Sequence, residues 1–379
     1  MATPTSTLGS EGLTDTFQMV LRQVTASVTN SPTATAVDFL TTQYITINGF
    51  TNDHVTVAPK TIDIVLPTCT QTIKPDQNGY LPPGTCGALW DYYPSFSAAL
   101  VFTLLFGLLT LAHLYQAIAY KKRFCWVIVM AGVWESMAYL FRTVSTRYQQ
   151  NTGVYLVFQI FILVSPLWVN AFGYMVLGRM IYFFIPSHKV FGIPAPTLAA
   201  TFVAFDLVAF LIQLTGGSMG GPTAAADEQL RAIHIYMGGI GLQQFFIVMF
   251  VGFAFGFQAK MHKQGVSKQG SRWRPLLFGI YASLTCITIR IIFRLVEFSS
   301  GSTGVSNPLL TNETYFFVLE ATPMLFAISI FNIVHPGSVM AGPESEMPGF
   351  WTTCTGLFRK KEFRKLDEPE PEEMRILRA

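Results

Sequence analysis

Cys286 to Ser299 reads CITIRIIFRLVEFS, a charged stripe set inside a long apolar run. Arg290, Arg294 and Glu297 recur at spacings of four and three, so a helix places all three on one face. Each formal charge costs roughly 2.5–3.5 kcal/mol at mid-bilayer on insertion scales, so it must face other protein or a water-filled cavity. Two readings follow. The stripe is either a structural ion pair, Arg294 with Glu297, that fixes helix packing, or part of a substrate or ion pathway.

Working outward, the surrounding chain is 51% hydrophobic and 12% charged over 379 residues, against about 25% charged in soluble domains. The apolar residues come in blocks of about 20 or more, long enough to cross about 30 Å of hydrocarbon. Seven such stretches are read: 95–119, 124–144, 154–184, 198–215, 233–257, 276–298 and 315–334. The expected fold is all-α, a polytopic membrane protein built as a seven-transmembrane-helix bundle. The third stretch is long enough to tilt, or to kink at Pro166.

Basic residues cluster after the first stretch (Lys121, Lys122, Arg123), between the fifth and sixth (Lys260, Lys263, Lys268, Arg272, Arg274) and after the seventh (Arg359 to Lys365). The alternate loops hold little beyond Arg147 and Arg231. The positive-inside rule then sets the N-terminus outside and the C-terminus in the cytoplasm. The sequon Asn312-Glu313-Thr314 falls in an outer loop, where Asn312 could be glycosylated.

Three regions follow. Residues 1–94 form an external N-terminal region rich in Thr, Ser, Pro and Gly, with strand character over 55–66 and turns between Cys69 and Cys86, which could close a disulfide loop. Their first 30 residues lack the basic stretch and continuous apolar core of a cleavable signal, so export would rely on the first span. Residues 95–338 form the transmembrane domain. Residues 339–379 form a cytoplasmic tail, basic and then acidic, whose basic part suits anionic headgroups.

The spans carry further polar residues. Glu135, Tyr139 and Arg142 share a stripe in the second, Asp206 and Gln213 sit seven apart in the fourth, and Glu320 precedes Pro323 in the seventh. With Arg290, Arg294 and Glu297, these nine form the candidate intramembrane polar cluster. It contains four acids and three arginines biased toward the outer side, which suggests a cavity opening that way. The acids could hold an ammonium headgroup while its tail stays in lipid. No Walker A sequence occurs, nor any Gly-Lys dipeptide, so no P-loop ATPase is present. His113, His234 and His335 fall at different depths and do not suit a zinc site; His335 reads as an end-of-helix residue. No cofactor, metal, catalytic residue or nucleic-acid partner is expected.

Several ordered motifs make the chain resemble the fungal lipid-translocating exporter family, over roughly residues 92–338. They are Glu135…Tyr139…Arg142, Pro166…Tyr174…Gly178-Arg179, Asp206…Gln213…Gly216-Gly217, Gly241-Leu242…Gln244, Arg290…Arg294…Glu297 and Asn332…His335-Pro336-Gly337. Ala138 departs from the glycine of the family pattern. The resemblance implies a seven-span protein of the fungal plasma membrane, or of internal membranes. Its implied work is to export or translocate amphiphilic lipids such as sphingoid long-chain bases, with lipid and drug resistance as the outcome. Its implied partners are membrane lipids or amphiphilic small molecules, and it is not an enzyme. The alternative is a seven-helix lipid sensor, in which the same charges act as an interhelical switch.

Overall fold

The computed structural model describes residues 39–47, 50–52, 55–58, 60–68, 73–83, 85, 88–219, 226–263, 273–299, 308–340 and 347. The chain divides into two compact units. One comprises Met1–Ile73 with Gly84–Gly87; the other comprises Lys74–Pro83 with Ala88–Ala379.

In the first unit, β1 (Phe39–Ile47) runs antiparallel to β4 (Lys60–Thr68), in register from Phe39 opposite Thr68 to Ile47 opposite Lys60. Between them β2 (Phe50–Asn52) pairs with β3 (Val55–Val57). Threonine, isoleucine, valine and tyrosine crowd these strands and favour the pleated backbone. The strand character at 55–66 thus falls on two pairings, and the long partner of Lys60–Thr68, FLTTQYITI, is not anticipated from the sequence. Cys69 and Cys86 lie outside the described residues, as does the tail beyond 350.

Among its described residues the second unit holds seven helices long and apolar enough to cross a membrane: Phe96–Ala119, Arg123–Ser145, Thr152–Phe184, Ala195–Met219, Asp227–Lys263, Trp273–Ser299 and Glu313–Val339. These are spans one to seven. Each of the seven expected stretches is present, generally a few residues longer at its ends. At 1.5 Å per residue the 33-residue third span is about 50 Å long, so it tilts or emerges beyond the hydrocarbon. Side chains start the helices where the first amides lack acceptors. Ser95 Oγ accepts from Ala98 N–H at 3.3 Å, and Asn151 Oδ1 from Val154 N–H at 3.1 Å.

Consecutive spans pack side by side; span seven packs on span six and returns to span one, while span three touches spans six and seven. Lipid tails are as apolar as leucine, so close packing and polar contacts hold such helices together. Spans four and five show the close packing. A β-carbon on Gly216 would lie 2.5 Å from the Tyr236 amide nitrogen, and one on Gly239 would lie 2.7 Å from Gln213 Cγ. Phe205 stacks on Phe246 across the same seam, with centroids 4.6 Å apart.

A strap covers the end of the bundle where span two finishes. Asp76 Oδ1 accepts the N–H groups of Asn78 and Tyr80, both at 2.8 Å, and the Gln149 N–H donates to the Asn78 carbonyl at 3.0 Å. The Tyr80 amide bond holds the Asp76 carboxyl below the ordinary aspartate value.

The other end of span seven is fastened to span one. Pro336 has no N–H to give the Asn332 carbonyl, and Gln116 Nε2 donates to that oxygen instead, at 3.0 Å. His113 Nε2 bonds the Ile328 carbonyl at 3.1 Å. His335 caps the final turn by accepting from Gly337 N–H at 3.0 Å and stacks on Tyr120 at 4.5 Å. A β-carbon at Gly337 would fall 2.7 Å from Tyr120 Cβ, so the His-Pro-Gly motif is a helix-end fitting.

Candidate functional site

The span-six stripe lies buried, with Arg290, Arg294 and Glu297 each less than a tenth exposed. Arg294 reaches span seven with two bonds to Glu320, Nε to Oε2 at 2.9 Å and Nη2 to Oε1 at 3.0 Å. Its third nitrogen, Nη1, donates to Glu297 Oε2 at 3.0 Å on its own helix. Arg290 Nη2 completes the bridge to Glu320 Oε1 at 2.7 Å. The expected Arg294–Glu297 pair is therefore present, but inside a larger cluster centred on Glu320.

Two prolines prepare this cluster. Pro166, within span three, cannot donate to the Ile162 carbonyl one turn back. Arg290 Nη2 supplies that bond at 3.0 Å, so one guanidinium satisfies both a freed backbone oxygen and a carboxylate. In span seven, Phe317–Ala321 forms a π turn just before Pro323. Thr322 reaches back five residues to the Phe317 carbonyl with its N–H, and with its hydroxyl at 2.9 Å. Glu320 sits in that widened turn, a feature frequent at functional sites.

Glu135 of span two adjoins the cluster, within electrostatic reach of Arg290, Arg294 and Glu320. It is 0% exposed, and neither of its carboxylate oxygens has a hydrogen-bond partner among the described residues. Ser165 lies beside it, yet its hydroxyl donates to the Ala131 carbonyl at 3.0 Å. Tyr139, one turn on, stacks against Phe106 at 5.2 Å, and its hydroxyl likewise has no hydrogen-bond partner. Two guanidinium groups thus face three carboxyls, Glu135, Glu297 and Glu320. With all ionised, one negative charge is in excess, and Glu135 is the acid that no arginine holds.

Arg142, two turns from Glu135, pairs elsewhere. Its Nη2 meets Glu313 Oε1 at 2.6 Å and donates to the Tyr92 hydroxyl at 3.0 Å. The guanidinium lies over Phe316 at 4.0 Å, with Trp90, Phe317 and Phe158 at 4.8, 5.1 and 5.2 Å. Phe316 links the two arginine sites, because Arg294 lies 5.7 Å from the same ring. Glu313 also accepts from Ser95 N–H at 2.8 Å, which ties the start of span seven to the start of span one. Asn312 is exposed and caps the same turn, accepting from Thr314 N–H at 3.0 Å.

The remaining candidates form separate contacts. Asp206 Oδ2 accepts from Asn170 Nδ2 and from the Tyr174 hydroxyl, both at 2.9 Å, which joins spans three and four. Gln213 Nε2 donates to Gln243 Oε1 at 3.0 Å, which joins spans four and five. The nine sequence candidates thus resolve into the Glu135–Arg290–Arg294–Glu297–Glu320 cluster with Tyr139 at its edge, the Arg142 cage, the Asp206 contact and the glutamine pair. Glu313 and Tyr92, which hold Arg142, and Gln243, which holds Gln213, are partners that the nine candidates leave out. Glu313 lies in a sequon that draws the eye to its asparagine.

Among the described residues, no three His, Cys, Asp or Glu side chains converge as a metal site. The architecture is that of an integral membrane protein with seven helices and an ionic core closed within the bundle. Residues 128–343 match the family described as RTA1 like protein, and the chain belongs to that family. It is 44% identical over 292 residues to "Probable lipid transporter atnI" of Emericella nidulans, covering 74% of this chain and 76% of that protein. A Leptosphaeria maculans protein, "Lipid-translocating exporter-like protein RTA1", is 27% identical over 68% of this chain and 52% of its own length. "Sphingoid long-chain base transporter RSB1" of Saccharomyces cerevisiae is 21% identical over 67% of this chain and 75% of its own. No solved structure matches.

Proposed function

We propose that this protein exports or translocates amphiphilic lipids with a cationic headgroup, sphingoid long-chain bases above all, and that Glu135 receives the headgroup. The observation that carries this reading is the buried Glu135 carboxylate, which has no hydrogen-bond partner beside a cluster whose other acids are already held. A bare buried carboxylate costs several kcal/mol unless something positive or hydrogen-bonding meets it. An ammonium group offers three donors and the missing charge, while its hydrocarbon tail remains in lipid between the helices. Glu297 and Glu320 serve it less well, since Arg294 and Arg290 already bond them. The names carried by the relatives, lipid transporter and sphingoid base transporter, support the same class of cargo.

The protein moves its cargo without changing a covalent bond. Its N-terminus lies outside and its C-terminus in the cytoplasm of the fungal plasma membrane. In that orientation Asn312 is presented for glycosylation and Cys69 with Cys86 meets an oxidising compartment. Glu135, Tyr139, Arg290, Arg294, Glu297 and Glu320 form the headgroup site, while Arg142, Asp206 and Gln213 hold the spans that surround it.

The test is flux of a labelled sphingoid base in proteoliposomes, with a neutral long-chain alcohol as control. Glu135→Gln, folded by thermal stability and chromatography, should lose base movement by an order of magnitude or more. Unchanged flux in that variant overturns the assignment of Glu135, and saturable binding without any flux in the native protein overturns transport itself.

A further inference from the structure

A groove lies on the flank of the bundle, apart from the ionic cluster. Where span one ends and span two begins, this groove, of about 400 Å³, opens between the two helices. Its walls are apolar, among them Leu114, Ile118 and Met130, and its mouth is ringed by Lys121, Lys122 and Arg123. No carboxylate lines it. Trp126 stands in the lining, 54% exposed, with its ring held edge-on against Trp168 at 5.1 Å.

The backbone holds the three cations together. Lys121 takes a left-handed conformation, φ 51°, which turns the chain sharply from one span into the next. The turn Arg123–Cys125 then runs without a break into the helix Trp126–Ser145, its Cys125 N–H donating to the Lys122 carbonyl at 3.1 Å. Three cations at the mouth of an acyl-sized apolar slot match one occupant in shape and charge.

We propose that this groove holds an anionic phospholipid, phosphate at Lys121, Lys122 and Arg123, acyl chain along Leu114, Ile118 and Met130. A zwitterionic lipid carries no net negative charge for the basic mouth of the groove to attract. The site would make the protein's behaviour depend on the acidic lipid content of its membrane, whatever cargo it moves.

Trp126 is the reporter. The full-length protein is placed in nanodiscs containing a tenth of phosphatidylserine with brominated acyl chains, or a tenth of brominated phosphatidylcholine. Trp126→Phe isolates this signal from the rest of the chain's six tryptophans. Quenching by the serine lipid should exceed its mole fraction about threefold or more and weaken at high salt. Lys121→Gln/Lys122→Gln/Arg123→Gln should return it to mole fraction. Because those charges also set orientation, Met130→Trp in a Trp126→Phe background provides a second reporter that keeps every cation and should show the same enrichment. Equal quenching by both lipids at mole fraction overturns the proposal. So does quenching that falls as protein density rises, which would put a second copy of the chain in the groove.

Discussion

At Arg294 all three guanidinium nitrogens are bonded to carboxylates, two to Glu320 and one to Glu297, and the residue is only 5% exposed. The magnitude of such an arrangement shows when it is broken. Removing one partner of a buried pair leaves an uncompensated charge and costs about 3–5 kcal/mol, while an exposed pair is worth about 0–1 kcal/mol. The chain contains both kinds. Asp227 and Arg231 stand 4.0 Å apart with more than two thirds of each side chain in solvent. Glu320→Gln should therefore lower the unfolding temperature strongly in detergent, while Asp227→Asn leaves it in place. Equal small effects from the two would mean that the cluster does not hold spans six and seven together. Arg290 adds a backbone duty, since its bond to the Ile162 carbonyl stands in for the N–H that Pro166 lacks.

Among the elements, spans four and five lie closest where glycine lets them. Gly216 has no room for a β-carbon, which would fall 2.5 Å from a backbone nitrogen of span five; neighbouring Gly217 has nothing within 4 Å. Gly216→Ala should destabilise the bundle by about 1–3 kcal/mol, the usual cost of overpacking, and Gly217→Ala should not. Thermal unfolding of the two variants checks this, and the contrast fails if both or neither lose stability. Sequence alone places small residues here without saying which face they use. Gly238 and Gly241, which flank Gly239 in span five, have open space around them. The spans themselves were legible, because about 20 apolar residues admit few other fates in a chain so poor in charge. Arg294 with Glu297 was legible too, since three residues on one helix must share a face. Arg142 was not: its partner lies 171 residues away, and a helical stripe points instead to Glu135, two turns distant and out of reach. Nor does any sequence pattern say that a proline in span three will call an arginine from span six.

Within the helical unit Glu135 and Glu320 are 0% exposed, so on the function proposed above a headgroup reaches Glu135 only after a helix moves. Span seven is the element built to do so. Its half from Thr322 to Ile333 is held to its neighbours, by Ser283 Oγ on the Ala327 carbonyl at 3.1 Å and by the His113 and Gln116 bonds. The π turn at Phe317–Ala321 interrupts the regular ladder just before that held half, and it carries Glu320, the residue that both arginines grip. Movement of Glu313–Ala321 about this turn would part Glu320 from Arg290 and Arg294 while leaving Thr322–Ile333 seated on span six. A disulfide between Cys residues introduced as Gly279→Cys and Ile330→Cys tests it, because a β-carbon at Gly279 would lie 3.1 Å from Ile330 Cγ2. With Cys125, Cys286 and Cys354 replaced by alanine, the oxidised pair should carry sphingoid base as fast as the reduced one, since the bridge locks only the half that stays still. Flux that stops on oxidation and returns on reduction would show that span seven moves as one rod, and the hinge would have to be sought elsewhere.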